Sequence, residues 1–238
     1  MKKFGLKFII LLWGINISFA QVYNPEIFFD QLFNGEIMDK TTIGSWDQAS
    51  VDWHYRFVET CIEHEGTRRT RSIVSLLDLG SGAGHWINYF AKKYPKTQIT
   101  GTDISKNAID HLQNRFLKNE NITILQMDLR DEFIFLKGEF DIINGIGLFH
   151  HIINDSIWTE CLKQCAEHLE TDGILFVGSR FDRTENFGKP VYRRFRSLEM
   201  WQEAIRAAGL QIKVIYFTNP KPGIKRHLDV MVVSKKRG

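Results

Sequence analysis

Val74-Ser75-Leu76-Leu77-Asp78-Leu79-Gly80-Ser81-Gly82-Ala83-Gly84-His85-Trp86 decides how the rest of this chain is read. An apolar strand runs into three glycines at alternate positions and then into a helix. Glycine lets the backbone turn sharply and approach a ligand with no β-carbon in the way. The helix start behind the loop offers free N–H groups and the positive end of a dipole, which suits an anionic group. Outward from this point, short β-branched runs alternate with helical periods, which predicts an α/β fold with a mostly parallel, doubly wound sheet.

The predicted strands are Ile73 to Leu79, Gln98 to Asp103, Ile122 to Met127, Phe140 to Asn144 and Gly173 to Gly178. Leu210 to Phe217 and Leu228 to Ser234 flank a Pro- and Gly-containing loop and are expected to pair antiparallel. Between them lie helices over Trp86 to Tyr94, from Ser105 through Phe116, Ser156 to Leu169 and Leu198 to Ala208. Upstream, Asn24-Pro25-Glu26 reads as a helix start, and Val51, Tyr55, Val58 and Ile62 recur at helical spacing.

In open parallel sheets a ligand lies at the carboxyl ends of the strands. Asp103 ends the second strand, 19 positions past Gly84, where an acid takes the two hydroxyls of a ribose. Asp128 follows the third strand, placed for an adenine amine, with Leu129 packing on the ring. Dinucleotide folds need G-x-G-x-x-G; here the third glycine comes one residue early and an acid, Asp78, precedes the loop, which disfavours a nicotinamide dehydrogenase.

The run D-L-G-S-G-A-G resembles the first motif of class I S-adenosylmethionine-dependent methyltransferases. Thr102-Asp103-Ile104 and Met127-Asp128-Leu129 resemble their second and third motifs. Phe140-Asp141-Ile142-Ile143-Asn144 with Leu148-Phe149-His150-His151-Ile152 is similar to their fourth-strand segment, and Leu169 through Phe176 to the segment entering their fifth. The resemblance covers about Val51 to Lys236. It implies a seven-stranded sheet with an antiparallel last strand and S-adenosylmethionine as methyl donor. It also implies a donor site drawn from Asp78, Gly80, Ser81, Gly82, Gly84, Asp103, Ile104, Asp128, Leu129 and Asn144, with the glycines along the methionine and ribose portion.

Methyl transfer from a sulfonium is an in-line displacement, so the protein mainly aligns the partners and excludes water. A hydroxyl or amine acceptor also needs a base near working pH, usually histidine. His150 and His151 follow the fourth strand at the same sheet edge and are the candidate catalytic residues. Their bland reading is a helix cap or packing under the loop. Ser179 to Arg196 carries Arg180, Arg183, Lys189, Arg193, Arg194 and Arg196 against Asp182 and Glu185, interleaved with Phe181, Phe187, Tyr192 and Phe195. It reads as a lid for an anionic or aromatic small-molecule acceptor, or else as a solvated flap. Trp46, Trp53, His54 and Tyr55 read as packing or as a cover over the donor.

The formal net charge is +3, and Lys2, Lys3 and Lys7 account for it: the remainder holds 28 bases and 28 acids. That balance gives no electrostatic case for nucleic acid. Neither an N-P-P-Y-type run nor a Pro-Cys nucleophile follows the fourth strand, which speaks against methylation of a base amine or of cytosine carbon. Cys61, Cys161 and Cys165 form no framework or metal spacing and read as buried small hydrophobes; no metal site is expected. Residues 1–20 have the basic, apolar and small-residue layout of a secretory signal peptide or an N-terminal anchor, the one expected membrane contact. A donor made in the cytosol argues instead for a cytosol-facing catalytic domain. The expected organisation is therefore 1–20, a helical cap over 21–66 and the donor-binding domain over 67–238. The expected activity is methyl transfer to oxygen or nitrogen of a small molecule; the alternative is a catalytically silent binding module on the same scaffold.

Overall fold

A computed structural model of the chain describes residues 24–32, 48–68, 72–131, 133, 136–181, 193–219, 222–223 and 228–235. Residues 1–20, Trp46 and most of the predicted lid (Arg183, Phe187, Lys189 and Tyr192) lie outside them. Seven strands form one sheet: β1 (Ser75–Leu79), β2 (Gln98–Asp103), β3 (Ile122–Gln126), β4 (Phe140–Ile146), β5 (Leu169–Ser179), β6 (Leu210–Tyr216) and β7 (Asp229–Lys235). Their order is β3-β2-β1-β4-β5-β7-β6. All pairs are parallel except those of β7, which runs antiparallel to both β5 and β6. This is the class I methyltransferase arrangement that the motifs implied.

The strands alternate between two cores, as a two-residue period requires when both sheet faces are covered. Leu77, Ile143, Leu175, Val177, Met231 and Val233 face one side, where α5 (Asp155–Glu167) and α6 (Leu198–Ala207) supply Trp158, Cys161, Cys165 and Trp201. Leu76, Ile142, Phe176, Val230 and Val232 face the other, covered by α2 (Gln48–Thr67), α3 (His85–Lys93) and α4 (Lys106–Arg115) through Val58, Ile62, Ile87, Phe90 and Leu112. All three cysteines are buried and reduced.

β5 differs most from its expected bounds, beginning at Leu169 rather than Gly173. Phe140 pairs with Leu169 and Ile142 with Ile174, so the residues between Leu169 and Ile174 are absorbed as a bulge within the strand. A short helix, α1 (Pro25–Leu32), is capped by Asn24, whose Oδ1 accepts from the Glu26 N–H at 3.0 Å. Among the described residues no helix is long and apolar enough to cross a membrane.

Candidate functional site

Strand order reverses between β1 and β4, and by the rule for open parallel sheets the carboxyl edge forms its ligand crevice there. The glycine loop forms its floor. Gly80, Gly82 and Gly84 all have positive φ (65°, 53° and 82°), so the loop's path depends on residues without β-carbons. A side chain at Gly80 would come within 2.8 Å of Leu148 Cδ1, filling the gap between the loop and the segment after β4. Gly84 faces inward instead. Its absent β-carbon would lie 2.5 Å from Leu112 Cδ2, so this glycine admits α4 rather than touching a ligand directly. Arg115, at the end of α4, ties the loop down by donating to the Ala83 carbonyl at 2.6 Å.

Asp103 sits at the end of β2, nearly buried, under that loop. Its Oδ2 accepts from the Gly82 N–H at 2.8 Å and its Oδ1 from the Ser105 N–H at 2.9 Å. Both oxygens are held by backbone donors, so the carboxylate is oriented, and its four lone pairs are not all spent on them. Burial pushes its pKa up, while the backbone donors at Ser105, Gly82 and Ile104 pull it down. Ile104 follows, half-buried, with its carbonyl taken by Gln126 Nε2.

Asp78 and Asn144 pair in register across β1 and β4. Asn144 Nδ2 donates to Asp78 Oδ1 at 2.6 Å, whereas Asp78 Oδ2 and Asn144 Oδ1 are buried without hydrogen bonds. Burial raises the Asp78 carboxyl to about 7, against the pull of Asn144 and Ser81. Ser81 turns its hydroxyl to the Asp78 carbonyl at 3.0 Å, and its N–H is spent on the Thr102 carbonyl. Both Ser81 and Asn144 thus brace the loop from below. Asp128, after β3, is held by Arg130, whose backbone N–H and guanidinium both donate to the carboxylate. An adenine amine would share Asp128 with that arginine. Leu129 packs against the core beside it.

Across the crevice, the 3₁₀ turn Phe149–His151 follows β4. His150 is buried, its ring stacked on Phe195 (5.3 Å, 12°) and 4.2 Å from that of His151. Its Nδ1 has no hydrogen-bond partner. Burial, with help from His151 and Arg193, holds its pKa well below 6.5, so the ring is kept neutral. His151 is half-buried with its ring edge-on to Phe29 of α1 at 5.1 Å.

The described end of the expected lid is a clamp. Arg194 donates its N–H to the His150 carbonyl at 2.7 Å and pairs with Asp155 at 2.6 Å. Arg196 is 1% exposed, donates to Asp155 Oδ1 and the Ile152 carbonyl, and lies 4.2 Å over the Trp158 ring. These two cations are consumed in seating the loop on α5, and Phe181 is in the core, so none of the three is placed to grip an acceptor. The sequence showed a basic run but gave no sign that Asp155, at the start of α5, would collect it. Asp155→Ala should therefore cost about 2 kcal/mol, reduced from the 3–5 of a fully buried pair because the carboxylate is half-exposed. Urea unfolding reads it; Asp155→Asn, which keeps an acceptor, should lose less, and an unchanged midpoint in the alanine variant rejects the clamp.

Of the aromatic residues upstream, Trp53 stacks on Phe57 (5.7 Å) and Tyr55 packs on His85 and Trp86, each at 5.3 Å. Tyr55, Trp86 and Tyr89 line a groove of ≈ 410 Å³ between α2 and α3, on the outside of the glycine loop. His54 is buried. No cluster of three metal-ligating side chains occurs among the described residues.

Residues 76–173 match a family model described as "Methyltransferase domain". This segment is a methyltransferase domain. The (S)-coclaurine N-methyltransferase of Papaver somniferum is 32% identical to the chain over 105 residues, covering 43% of this chain and 28% of that one. The methyltransferase domain also shares its fold with the Burkholderia thailandensis 1,6-didemethyltoxoflavin-N1-methyltransferase, solved with 1,6-didemethyltoxoflavin and S-adenosylhomocysteine (TM-score 0.60, 19% identity, 80% of each chain). A further neighbour is an O-methyltransferase from neocarzinostatin biosynthesis, in complex with S-adenosylhomocysteine and 1,4-dihydroxy-2-naphthoic acid (TM-score 0.55, 16% identity, 79% of this chain and 59% of that one). The chain spans less than half the length of the curated relatives it matches.

Proposed function

We propose that this chain is an S-adenosylmethionine-dependent methyltransferase acting on oxygen or nitrogen of a small aromatic acceptor. The observation that carries the reading is that an oriented carboxylate follows β2 and a neutral imidazole follows β4, the two strands that flank β1 and its glycine loop. Asp103 lies on the β2 side with its carboxylate held by backbone donors, and His150 on the β4 side with Nδ1 unpaired. The donor brings an electrophilic methyl on a sulfonium; the crevice fits it through the glycine loop, whose three positive-φ glycines carry no β-carbons, and the Asp103 carboxylate beneath it. The chain's own part is to hold donor and acceptor in line and to take a proton from the nucleophile. The aromatic acceptor class is supported by the ring-rich wall of His150, His151 and Phe195, and by the bicyclic compounds named with the two solved neighbours.

Calorimetric titration with S-adenosylmethionine, then a methyl-release assay over phenolic and heteroaromatic acceptors, tests this. Binding without turnover on any acceptor would favour the silent module; no binding at all removes the proposal. His150→Gln should lower kcat by roughly 10²-fold with donor affinity unchanged. Since burial opposes protonation of His150, the wild-type rate should lose activity only well below pH 6.5. An inflection at 6.5, or a fully active glutamine variant, excludes His150 as the base.

A further inference from the structure

The crevice is crossed by an element that none of the motifs contains. α1 reaches α4 on the β2 side and the 3₁₀ turn on the β4 side, with the glycine loop of β1 between them. On the β2 side the contact is polar, with one buried member, Ser105. Ser105, fully buried, donates its hydroxyl to Asp30 Oδ1 at 2.6 Å; the same oxygen accepts from the Asn107 N–H at 3.2 Å, and the Asp30 carbonyl accepts from Asn107 Nδ2 at 2.9 Å. Phe29 packs against Ala108 of α4 on that same side, and reaches the β4 side with its ring edge-on to His151.

We propose that Asp30 is a positioning residue, fastening α1 across the donor crevice and acting on Asp103 through Ser105. The inference rests on the donor-site reading above. Ser105 is the link: its N–H holds Asp103 Oδ1 at 2.9 Å while its hydroxyl holds Asp30. The Asp30 charge also reaches Asp103 and raises its pKa. Asp30 therefore touches neither reacting atom. It orients the serine that orients the ribose-side carboxylate, and it anchors the helix that closes the mouth. A bound nucleoside under α1 can leave only when this tether opens, so Asp30 governs donor residence time more than donor encounter.

Asn keeps a side-chain oxygen that accepts from Ser105 and Asn107; Ala keeps none. On the full chain, S-adenosylhomocysteine is the probe. Asp30→Ala should weaken its binding about tenfold, mostly through faster dissociation, and should abolish the gain in amide-exchange protection over 25–32 that the probe confers on wild type. Asp30→Asn should stay within about threefold of wild type and keep the protection, which a loss of fold or of general stability would not do selectively. Wild-type affinity and wild-type protection in Asp30→Ala overturn this inference alone. A wild-type chain that does not bind the probe overturns the donor site, and this inference with it.

Discussion

Gly84→Ala should destabilise the protein by about 3 kcal/mol, whereas Gly138→Ala should cost about 1. Both glycines have the same left-handed backbone, φ 82° and 78°, so an alanine pays a similar steric penalty at each. They differ in what the new β-carbon meets. At Gly138 nothing lies within 4 Å; at Gly84 the methyl would sit 2.5 Å from Leu112 Cδ2 and 3.0 Å from Phe116 Cε2. Leu112 is fully buried and has nowhere to swing, so α4 must shift. The excess of roughly 2 kcal/mol is that overpacking. Because α4 begins at Lys106, directly after Ser105, the same shift should loosen the hold of the Ser105 N–H on the Asp103 carboxylate. Parallel urea melts of the two variants separate the backbone cost from the packing cost. Equal losses would show that the third glycine serves only the turn.

Asp78→Asn should turn a pH-dependent stability into a nearly flat one. The Asp78 carboxyl has a folded pKa of about 7 against an ordinary 3.8, since burial disfavours its charge more than Asn144 and Ser81 favour it. Between those two values the folded chain holds a proton that the unfolded chain has released, so stability falls as pH rises. The favourable contribution is complete below about pH 4 and is lost by the time pH passes about 7. The amount at stake is on the order of a few kcal/mol. Protonated Asp78 would also gain a donor, and the Asn144 Oδ1 beside it is a buried acceptor without a partner. Asparagine mimics that protonated form, so at pH 8 the variant should unfold at higher temperature than wild type, and at pH 4.5 the two should nearly coincide. Melting curves that stay parallel from pH 4.5 to 8 would place the titration elsewhere.

Why these two residues weigh so much is visible only partly in the chain itself. The glycine at 84 is legible as a turn residue, because an apolar strand precedes it and a helical period follows. Its contact with Leu112 is not, because that contact joins two helices brought together by the pairing of β1 with β2. Asp78 reads as an acid before a loop. That it ends up buried beside Asn144 depends on the β1–β4 register, set 66 residues apart. Asp30 gave no signal beyond membership of a short helix, since its partner Ser105 lies 75 residues away. The arginines at 194 and 196 misled in a related way. A charge run advertises a ligand when its counter-charge is remote in sequence, and Asp155 stands 41 residues from Arg196.

Local chemistry was enough for the alternation of strand and helix, the glycine loop, the caps at Ser105 and Ser197 and the residues at the strand ends, because period and turn propensity act over a few residues. Tertiary structure alone decided which polar groups are spent and which remain available. Asn144 Nδ2, the Ser81 hydroxyl, Arg194 and Arg196 are consumed inside the protein, while His150 Nδ1 is buried without a partner. The physical reason is desolvation: a polar atom's state depends on what is packed around it, and here those neighbours come from strands and helices distant in the chain.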